Sequence, residues 1–303
     1  MNLRITSQQL AYGSAGDITT TKARLSKLQQ QASSGTAITK PSDDPAGTAA
    51  AMRVRAQQRA NAQYSTNIDD ATSWLSTTDS TLTASENLLR QAIDVTTQGA
   101  NTGAQTPASR AALATQLDGI RADLLGQANT KYLGRSLFAG TSDAPNAFAA
   151  SGTYAGVAGG AVQRRISGTE TVSVSADGAA AFGDGSSSTS PSVFQTIDAI
   201  SAALRDTSGK SDAQITAGLT ALQNGLTQMS AVHATVGANY ARVTAAKTTT
   251  ANESLTLETQ RSGIEDADTT KVLLDLKTQE VAYQTALQVT AQSIQPTLMS
   301  FLR

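Results

Sequence analysis

No cysteine occurs among the 303 residues, which excludes disulfides, thiolate nucleophiles and Cys-based zinc sites. Histidine occurs once and charged residues make up only 16 % of the chain. The 23 basic and 24 acidic residues leave a net charge of −1, so there is no basic footprint for wrapping nucleic acid. No 18-residue apolar run is present, and no membrane span is expected. The start, Met1-Asn2-Leu3-Arg4-Ile5, turns polar from Thr6 to Gln9, without the continuous apolar stretch of a cleaved secretory signal.

What fills the chain instead is 52 Ala and 42 Thr, while Leu, Ile, Val and Phe together number 56. That apolar content is close to the level at which disorder sets in, but disorder also needs high net charge, which is missing. Closely packed Ala-rich helices fit the composition.

Apolar spacing divides the chain into helical N- and C-terminal parts around a Gly-rich middle. Ile18, Leu25 and Ala32 recur every seven residues with Leu28 between them, predicting an amphipathic helix over about 4–33 that Ser34-Gly35 ends. Pro45 suits a first helical position with Asp44 as its cap. From there Val54, Asn61, Ile68, Leu75, Leu82 and Leu89 hold one heptad position beside Tyr64, Ala71 and Ala92, predicting a helix of some fifty residues that Gly99 to Gly103 breaks. Thr106-Pro107 starts a helix with the stripe Leu113, Leu117, Ile120 and Leu124. Ser190-Pro191 starts another with Val193, Ile197, Ile200 and Leu204, stopped by Gly209. After Asp212, Ile215, Leu219, Leu222, Leu226, Met229, His233, Val236, Tyr240 and Val243 alternate four and three apart, the pattern of a coiled-coil helix. Beyond Gly263 a further amphipathic stretch runs through Leu276, Tyr283, Leu287, Ala291, Ile294 and Leu298, with a kink or frayed end expected at Pro296.

Between 138 and 188 the helical period vanishes and nine glycines appear, while Arg165-Ile166-Ser167 and Thr171 to Ser175 alternate as strands do. The tract Gly183 to Ser190 has the composition of a flexible return linker. The expected architecture is mainly α: a long antiparallel helical rod formed by the N- and C-terminal segments, with a small inserted β domain. The expected parts are a terminal coiled-coil assembly region (1–40 and 265–303), a helical rod domain (41–137 and 190–264) and a β-rich outer domain (138–189).

Residues arranged for catalysis are hard to assemble. His233 sits on the apolar seam between Met229 and Val236 and reads as a satisfied or partly exposed core histidine. The acids Asp43, Asp44, Asp69, Asp70, Glu265, Asp266 and Asp268 lack calcium-loop spacing and suit helix starts and exposed faces. Gly209-Lys210-Ser211 imitates the end of a phosphate-binding loop, but Leu204 occupies the place of the required earlier glycine. No G-x-S-x-G or G-x-G-x-x-G occurs. Arg53, Arg55 and Arg59 lack interleaved aromatics and read as a solvated face or a subunit contact. The insertion's acids, Asp143, Glu170, Asp177 and Asp184, are scattered. No enzyme, cofactor, metal or small-molecule substrate is expected. Long seams, few charges and an amphipathic helix at each end point instead to self-assembly, with termini ordered by pairing with each other and with neighbours.

Three segments carry a resemblance: Met1-Asn2-Leu3-Arg4-Ile5-Thr6, Ala32-Ser33-Ser34-Gly35 and Lys40-Pro41-Ser42-Asp43-Asp44-Pro45-Ala46-Gly47 resemble the amino-terminal region of the flagellar axial proteins. Ile264-Glu265-Asp266-Ala267-Asp268, Tyr283-Gln284-Thr285-Ala286 and Ser300-Phe301-Leu302-Arg303 are similar to their carboxy-terminal region. Tyr132-Leu133-Gly134-Arg135-Ser136-Leu137-Phe138-Ala139-Gly140-Thr141 is most like the hook-filament junction branch of that superfamily. Asp-Asp-Pro-Ala-Gly and the Phe-Leu-Arg ending resemble flagellin, so a filament subunit stays open as the alternative. The resemblance implies a flagellin-like fold and a homo-oligomeric ring at the hook-filament junction, outside the cell. The implied partners are an FlgK-like junction protein, flagellin and an export chaperone, with type III export and no cleaved signal. On this reading Val54, Ile68, Leu75, Leu82, Leu89, Leu219, Leu226, Val236 and Val243 form the rod core. Ile18, Leu25, Leu28, Leu276, Leu287, Ile294 and Leu298 form the assembly interface.

Overall fold

The computed structural model describes residues 7–101, 106–187, 189–206 and 211–301. Among them seven helices dominate: α1 (Ser7–Ser34), α2 (Pro45–Ala100), α3 (Pro107–Ala128), α4 (Gly178–Phe182), α5 (Val193–Arg205), α6 (Ser211–Glu265) and α7 (Thr269–Phe301). Two antiparallel two-stranded sheets complete the fold, pairing β1 (Lys131–Tyr132) with β2 (Arg135–Ser136) and β3 (Gln163–Arg165) with β4 (Thr171–Ser173). The protein is thus mainly α, with long N- and C-terminal helices around a small β-containing segment. It divides into two compact units, Met1–Ala60 with Glu253–Arg303, and Asn61–Asn252.

In the first unit α1 and α7 lie antiparallel, as the bridge between Thr36 and Asp266 and the bond from Gln279 Nε2 to the Thr21 carbonyl (3.3 Å) require. Their facing residues follow the same four-three spacing, Ile18, Thr21, Leu25, Leu28 and Ala32 on α1, and Val272, Leu276, Gln279, Tyr283 and Ala286 on α7. Gly35 ends α1 with φ +70°, a left-handed conformation that a side chain would strain. Asp44 caps α2, accepting from the Gly47 N–H at 2.9 Å, and Pro45 takes the first helical position. Asp268 caps α7 through the Lys271 N–H (3.1 Å). Gly263 does not end α6, which continues to Glu265, and α7 runs on through Pro296.

In the second unit α2 and α6 lie antiparallel. Asn61 Nδ2 donates to the Thr250 carbonyl (2.9 Å), and Lys247 and His233 pair with residues progressively farther along α2. The heptad position of α2 is buried throughout, from Ile68 through Leu75 and Leu82 to Leu89, and continues at Thr96. On its companion seam Thr78 and Ser85 are buried between Ala71 and Ala92. They fit an apolar core because each hydroxyl donates to the carbonyl one turn back, Thr78 to Trp74 (3.0 Å) and Ser85 to Thr81 (2.8 Å). The Ala/Thr-rich composition therefore still builds a close-packed seam. On α6, Ile215, Leu222, Met229, Val236 and Val243 are buried, whereas Leu219 and Leu226 are half-buried and Tyr240 is exposed. Within the four-three pattern the seven-residue series from Ile215 to Val243 is therefore the more deeply buried one. α2 carries fully buried residues on several faces, whereas α6 flanks its buried series with half-buried residues such as Leu226, Val232 and Ala246 that also pack against the core.

The segment after α3 shares that core. Phe138, Phe148 and Phe182 cluster with Phe194 of α5, with centroids 5.0–5.7 Å apart. These rings bind the glycine-rich stretch to the helices. Its strands depart from the expected ones: β3 ends at Arg165, before Ile166 and Ser167, and β4 stops at Ser173. Ile166 and Val174 turn into the core where the ladder ends. Pro191 is not the first residue of α5. Ser192 is the cap, in a capping box with Gln195, and Pro191 precedes it. Nor is Gly183 to Ser190 an unanchored linker. The Asp184 carboxylate accepts from the Ser186 N–H (3.2 Å) and the Ser186 and Ser190 hydroxyls (2.8 and 2.9 Å), while Gln195 Nε2 donates to the Gly185 carbonyl (3.0 Å). α5 ends at Arg205; Gly209, Gly103, Met1 to Thr6 and Leu302-Arg303 lie outside the described residues.

Candidate assembly surfaces

On α7 the apolar residues do not stop at the seam with α1. Val272 is buried and Leu276 half-buried against α1, but Leu273, Leu274, Val281, Leu287 and Val289 are exposed, Leu274 at 68 % and Leu287 at 43 %. Projected at 100° per residue these five lie on flanks and back alike. These exposed apolar residues alternate with charged ones such as Lys271 and Lys277. Ile18, Leu25 and Leu28 of α1 are half-buried by α7. The side chains of Ile294 and Leu298 lie outside the described residues.

The turn between α1 and α2 is fixed by its acids. Asp43 accepts from the Thr39 hydroxyl (2.7 Å) and the Lys40 N–H (3.1 Å) and pairs with Lys27 (3.0 Å). The Thr39 bond and then Lys27 hold its carboxyl far below the ordinary carboxylate range. Glu265, buried at the end of α6, pairs with Arg55 (2.8 Å) and Arg261 (3.1 Å), and its backbone carbonyl accepts from the Ala37 N–H (2.7 Å). The bond from Arg55 outweighs burial and keeps Glu265 ionised below its ordinary value. Asp69 pairs with Lys247 and Asp70 with Arg164. Of the acids considered as metal ligands, Asp44 and Asp268 are caps, Asp43, Asp69, Asp70 and Glu265 are ion-pair partners, and Asp266 accepts from the Ser262 hydroxyl (2.6 Å); no group of three or more potential ligands occurs among the described residues. Arg55 is one of the three basic residues expected on a solvated face or a subunit contact, and within the chain it meets Glu265.

In the α2/α6 contact, His233 Nδ1 lies 2.9 Å from Glu86 and Nε2 lies 3.0 Å from Asp79. Glu86 also accepts from Arg90 (2.8 Å) and Ser230 (3.3 Å). With a carboxylate at each ring nitrogen, only the doubly protonated imidazolium donates to both. Burial opposes its charge, but Glu86 and Asp79 outweigh burial and raise the imidazole above its ordinary value. Burial likewise would raise Glu86, and His233, Arg90 and Ser230 bring it below its ordinary value. This bridge was not foreseen from the sequence. The available signal was that Asp79 and Glu86 are seven apart, on one face of α2.

Paired terminal helices with exposed apolar residues and a long heptad-packed helical pair define a structural, coiled-coil-like class of protein. Residues 5–143 match the bacterial flagellin N-terminal helical region, and residues 219–302 match the bacterial flagellin C-terminal helical region. The chain belongs to the flagellin family of flagellar axial proteins. It is 28 % identical over 301 residues to flagellar hook-associated protein 3 of Salmonella typhimurium, covering 93 % of this chain and 94 % of that protein. Its similarity to flagellin of Bacillus subtilis, 27 % over 147 residues, covers only 46 % of each. The crystal structure of Xanthomonas campestris FlgL shares its fold, with a TM-score of 0.60 at 19 % identity over 69 % of this chain and 99 % of that one. No helix among the described residues is long and apolar enough to cross a membrane.

Proposed function

We propose that this chain is a non-enzymatic adaptor of the bacterial flagellum that forms a ring at the hook-filament junction, between an FlgK-like junction protein and the flagellin filament. The observation that carries this reading is the near full-length similarity to hook-associated protein 3, against a half-length similarity to flagellin. On this reading the chain is exported by the flagellar type III apparatus with the help of a chaperone. The work it does is mechanical and rests on packing. Val54, Ile68, Leu75, Leu82, Leu89, Val236 and Val243, with Leu219 and Leu226 at the rim, keep the long helices rigid. Regions 1–40 and 265–303 form the assembly region, in which Ile18, Leu25, Leu28 and Leu276 hold α1 against α7, while Leu287, Ile294 and Leu298 meet neighbouring subunits. The exposed leucines and valines of α7 support that role, because burying the roughly half of each side chain that is still exposed against a neighbour contributes about 1 kcal/mol apiece.

The test is deletion of the gene, followed by electron microscopy of the cells and an assay of flagellin in the medium. Hooks without filaments, still carrying the FlgK-like protein and shedding flagellin into the medium, are the expected result. Complete junctions with no flagellin anywhere would make the chain a filament subunit. Normal flagella in the absence of a second copy of the gene would refute both.

A further inference from the structure

We propose that Leu133 is a docking knob that enters the cleft between α5 and α6 of a second copy of this chain, joining neighbours head to tail. The proposal rests on the reading of the chain as a self-assembling subunit. The β1–β2 hairpin pairs Tyr132 with Arg135 and is closed by Leu133 and Gly134 alone, with φ +48° and +81°. Two positive values make a turn suited to Asn-Gly, and Leu133 is the only non-glycine residue with positive φ among the described residues. It is also 81 % exposed. Asparagine there would relieve both the backbone strain and the exposed apolar surface. A partner that covers the leucine offsets both instead. Lys131 and Arg135, both exposed, flank the tip and make it basic as well as apolar.

The receiving surface is a cleft of about 820 Å³ between α5 and the start of α6. Ala199, Ala202, Ala203, Ala217 and Gly218 give it an apolar wall with room for a branched side chain, and Asp206 is its charged lining residue. An acid beside an apolar wall is complementary to a leucine flanked by Lys131 and Arg135. A copy cannot fill its own cleft. Trp74 of α2 packs on Tyr132 at 5.4 Å, next to the knob, whereas Gly99 of α2 packs against Leu204 at the end of α5. That stretch of α2 spans roughly 38 Å at about 1.5 Å per residue, and α5, which lines the cleft from Gln195 to Asp206, runs back along it by about 16 Å, so the near end of the cleft is still about 20 Å from the knob. With the self-assembling reading and the charge match, the occupant is a second copy, displaced along the helices by between about 20 and 38 Å. Knob and cleft are different surfaces, so the contact is heterologous and propagates into a ring or helix rather than closing a dimer.

The cysteine-free chain permits a direct test. Leu133→Cys and Ala217→Cys, both at exposed positions, are expressed together in cells lacking the gene and treated with a short bis-maleimide cross-linker. A dimer band is expected in the mixture and not with either variant alone; its absence in cells that carry attached filaments overturns the proposal. In parallel, Leu133→Asn is expected to keep the hairpin, read by unchanged emission of Trp74, the chain's single tryptophan, and to cut filaments per cell at least tenfold. A wild-type filament count in Leu133→Asn also overturns it. If loss of the gene leaves filaments attached, the junction reading fails instead, and the same cross-link between purified chains at high concentration then decides the knob.

Discussion

Leu82 and Leu287 are both leucines on long helices, yet one is buried and the other exposed, and the proposed function gives them opposite duties that one pair of substitutions separates. Leu82 is fully buried on the α2 heptad seam. Leu→Ala at such a site removes transfer free energy and leaves a cavity, for about 2.7–5 kcal/mol, and partial closure of packed helices places Leu82→Ala near the lower end, about 3 kcal/mol. In a unit of this size each kcal/mol moves the thermal midpoint by roughly 2–4 °C, so the midpoint falls by roughly 6–12 °C. With a typical stability of about 5–15 kcal/mol the variant is still folded at 25 °C. Leu287 is 43 % exposed, beside the α1 seam, so Leu287→Asp costs the isolated chain only about 1 kcal/mol or less. It places a carboxylate where a neighbour's apolar surface is expected to arrive. Circular-dichroism melting of the purified variants and filament counts on cells grown at 25 °C read the two effects. Leu82→Ala should melt early and assemble; Leu287→Asp should melt within about 4 °C of wild type and fail to assemble. A Leu82→Ala midpoint within 2 °C of wild type, or normal assembly of Leu287→Asp, refutes the reasoning.

Three further outcomes are expected. The raised His233 contributes stability that is complete below its ordinary value and is lost as pH rises through the elevated one, whereas the lowered Glu86 contributes stability present above its ordinary value and lost as pH falls through the depressed one. The midpoint difference between wild type and His233→Gln should therefore be greatest between about pH 4.5 and 6.5 and shrink on both sides, with Asp79, Arg90 and Ser230 unchanged in both proteins; a pH-independent difference would contradict the bridge. Asn61 is buried with Oδ1 unpartnered, so Asn61→Leu removes an unmet acceptor costing about 1–3 kcal/mol and loses one hydrogen bond of about 1 kcal/mol. A net gain of about 0–2 kcal/mol is expected in urea titration, and a loss would show that the bond to the Thr250 carbonyl matters more than the orphan. A Cβ at Gly47 would collide with the Asp44 carboxylate and Ile38 Cδ1, so Gly47→Ala should destabilise the first unit by about 1–2 kcal/mol through the α2 cap, despite the better helix propensity of alanine. Faster amide exchange in the first turn of α2 is the sign to look for, and unchanged exchange would show that the cap tolerates the methyl.

What the amino-acid order determined by itself is local and repetitive. Val54 to Leu89 recur every seven residues, Asp44-Pro45 and Thr106-Pro107 mark helix starts, and Ser34-Gly35 marks a stop, because caps and heptads are chemistry within a few turns of one helix. The same logic misplaced the start of α5 at Pro191, since a proline before a cap and a proline after one look alike until Ser192 and Gln195 bond. Spacing alone does not say how deeply Leu219, Leu226 or Tyr240 of α6 is buried, since that depends on how many neighbours surround the helix. Composition made Gly183 to Ser190 a linker, where Asp184 and Gln195 pin it. Only tertiary structure joined His233 to Glu86 and Asp79, gathered four phenylalanines around the glycine-rich segment, and left Leu133 exposed at a strained turn. Each of these depends on residues brought together from distant parts of the chain, and a side chain's exposure is set by what the rest of the fold covers.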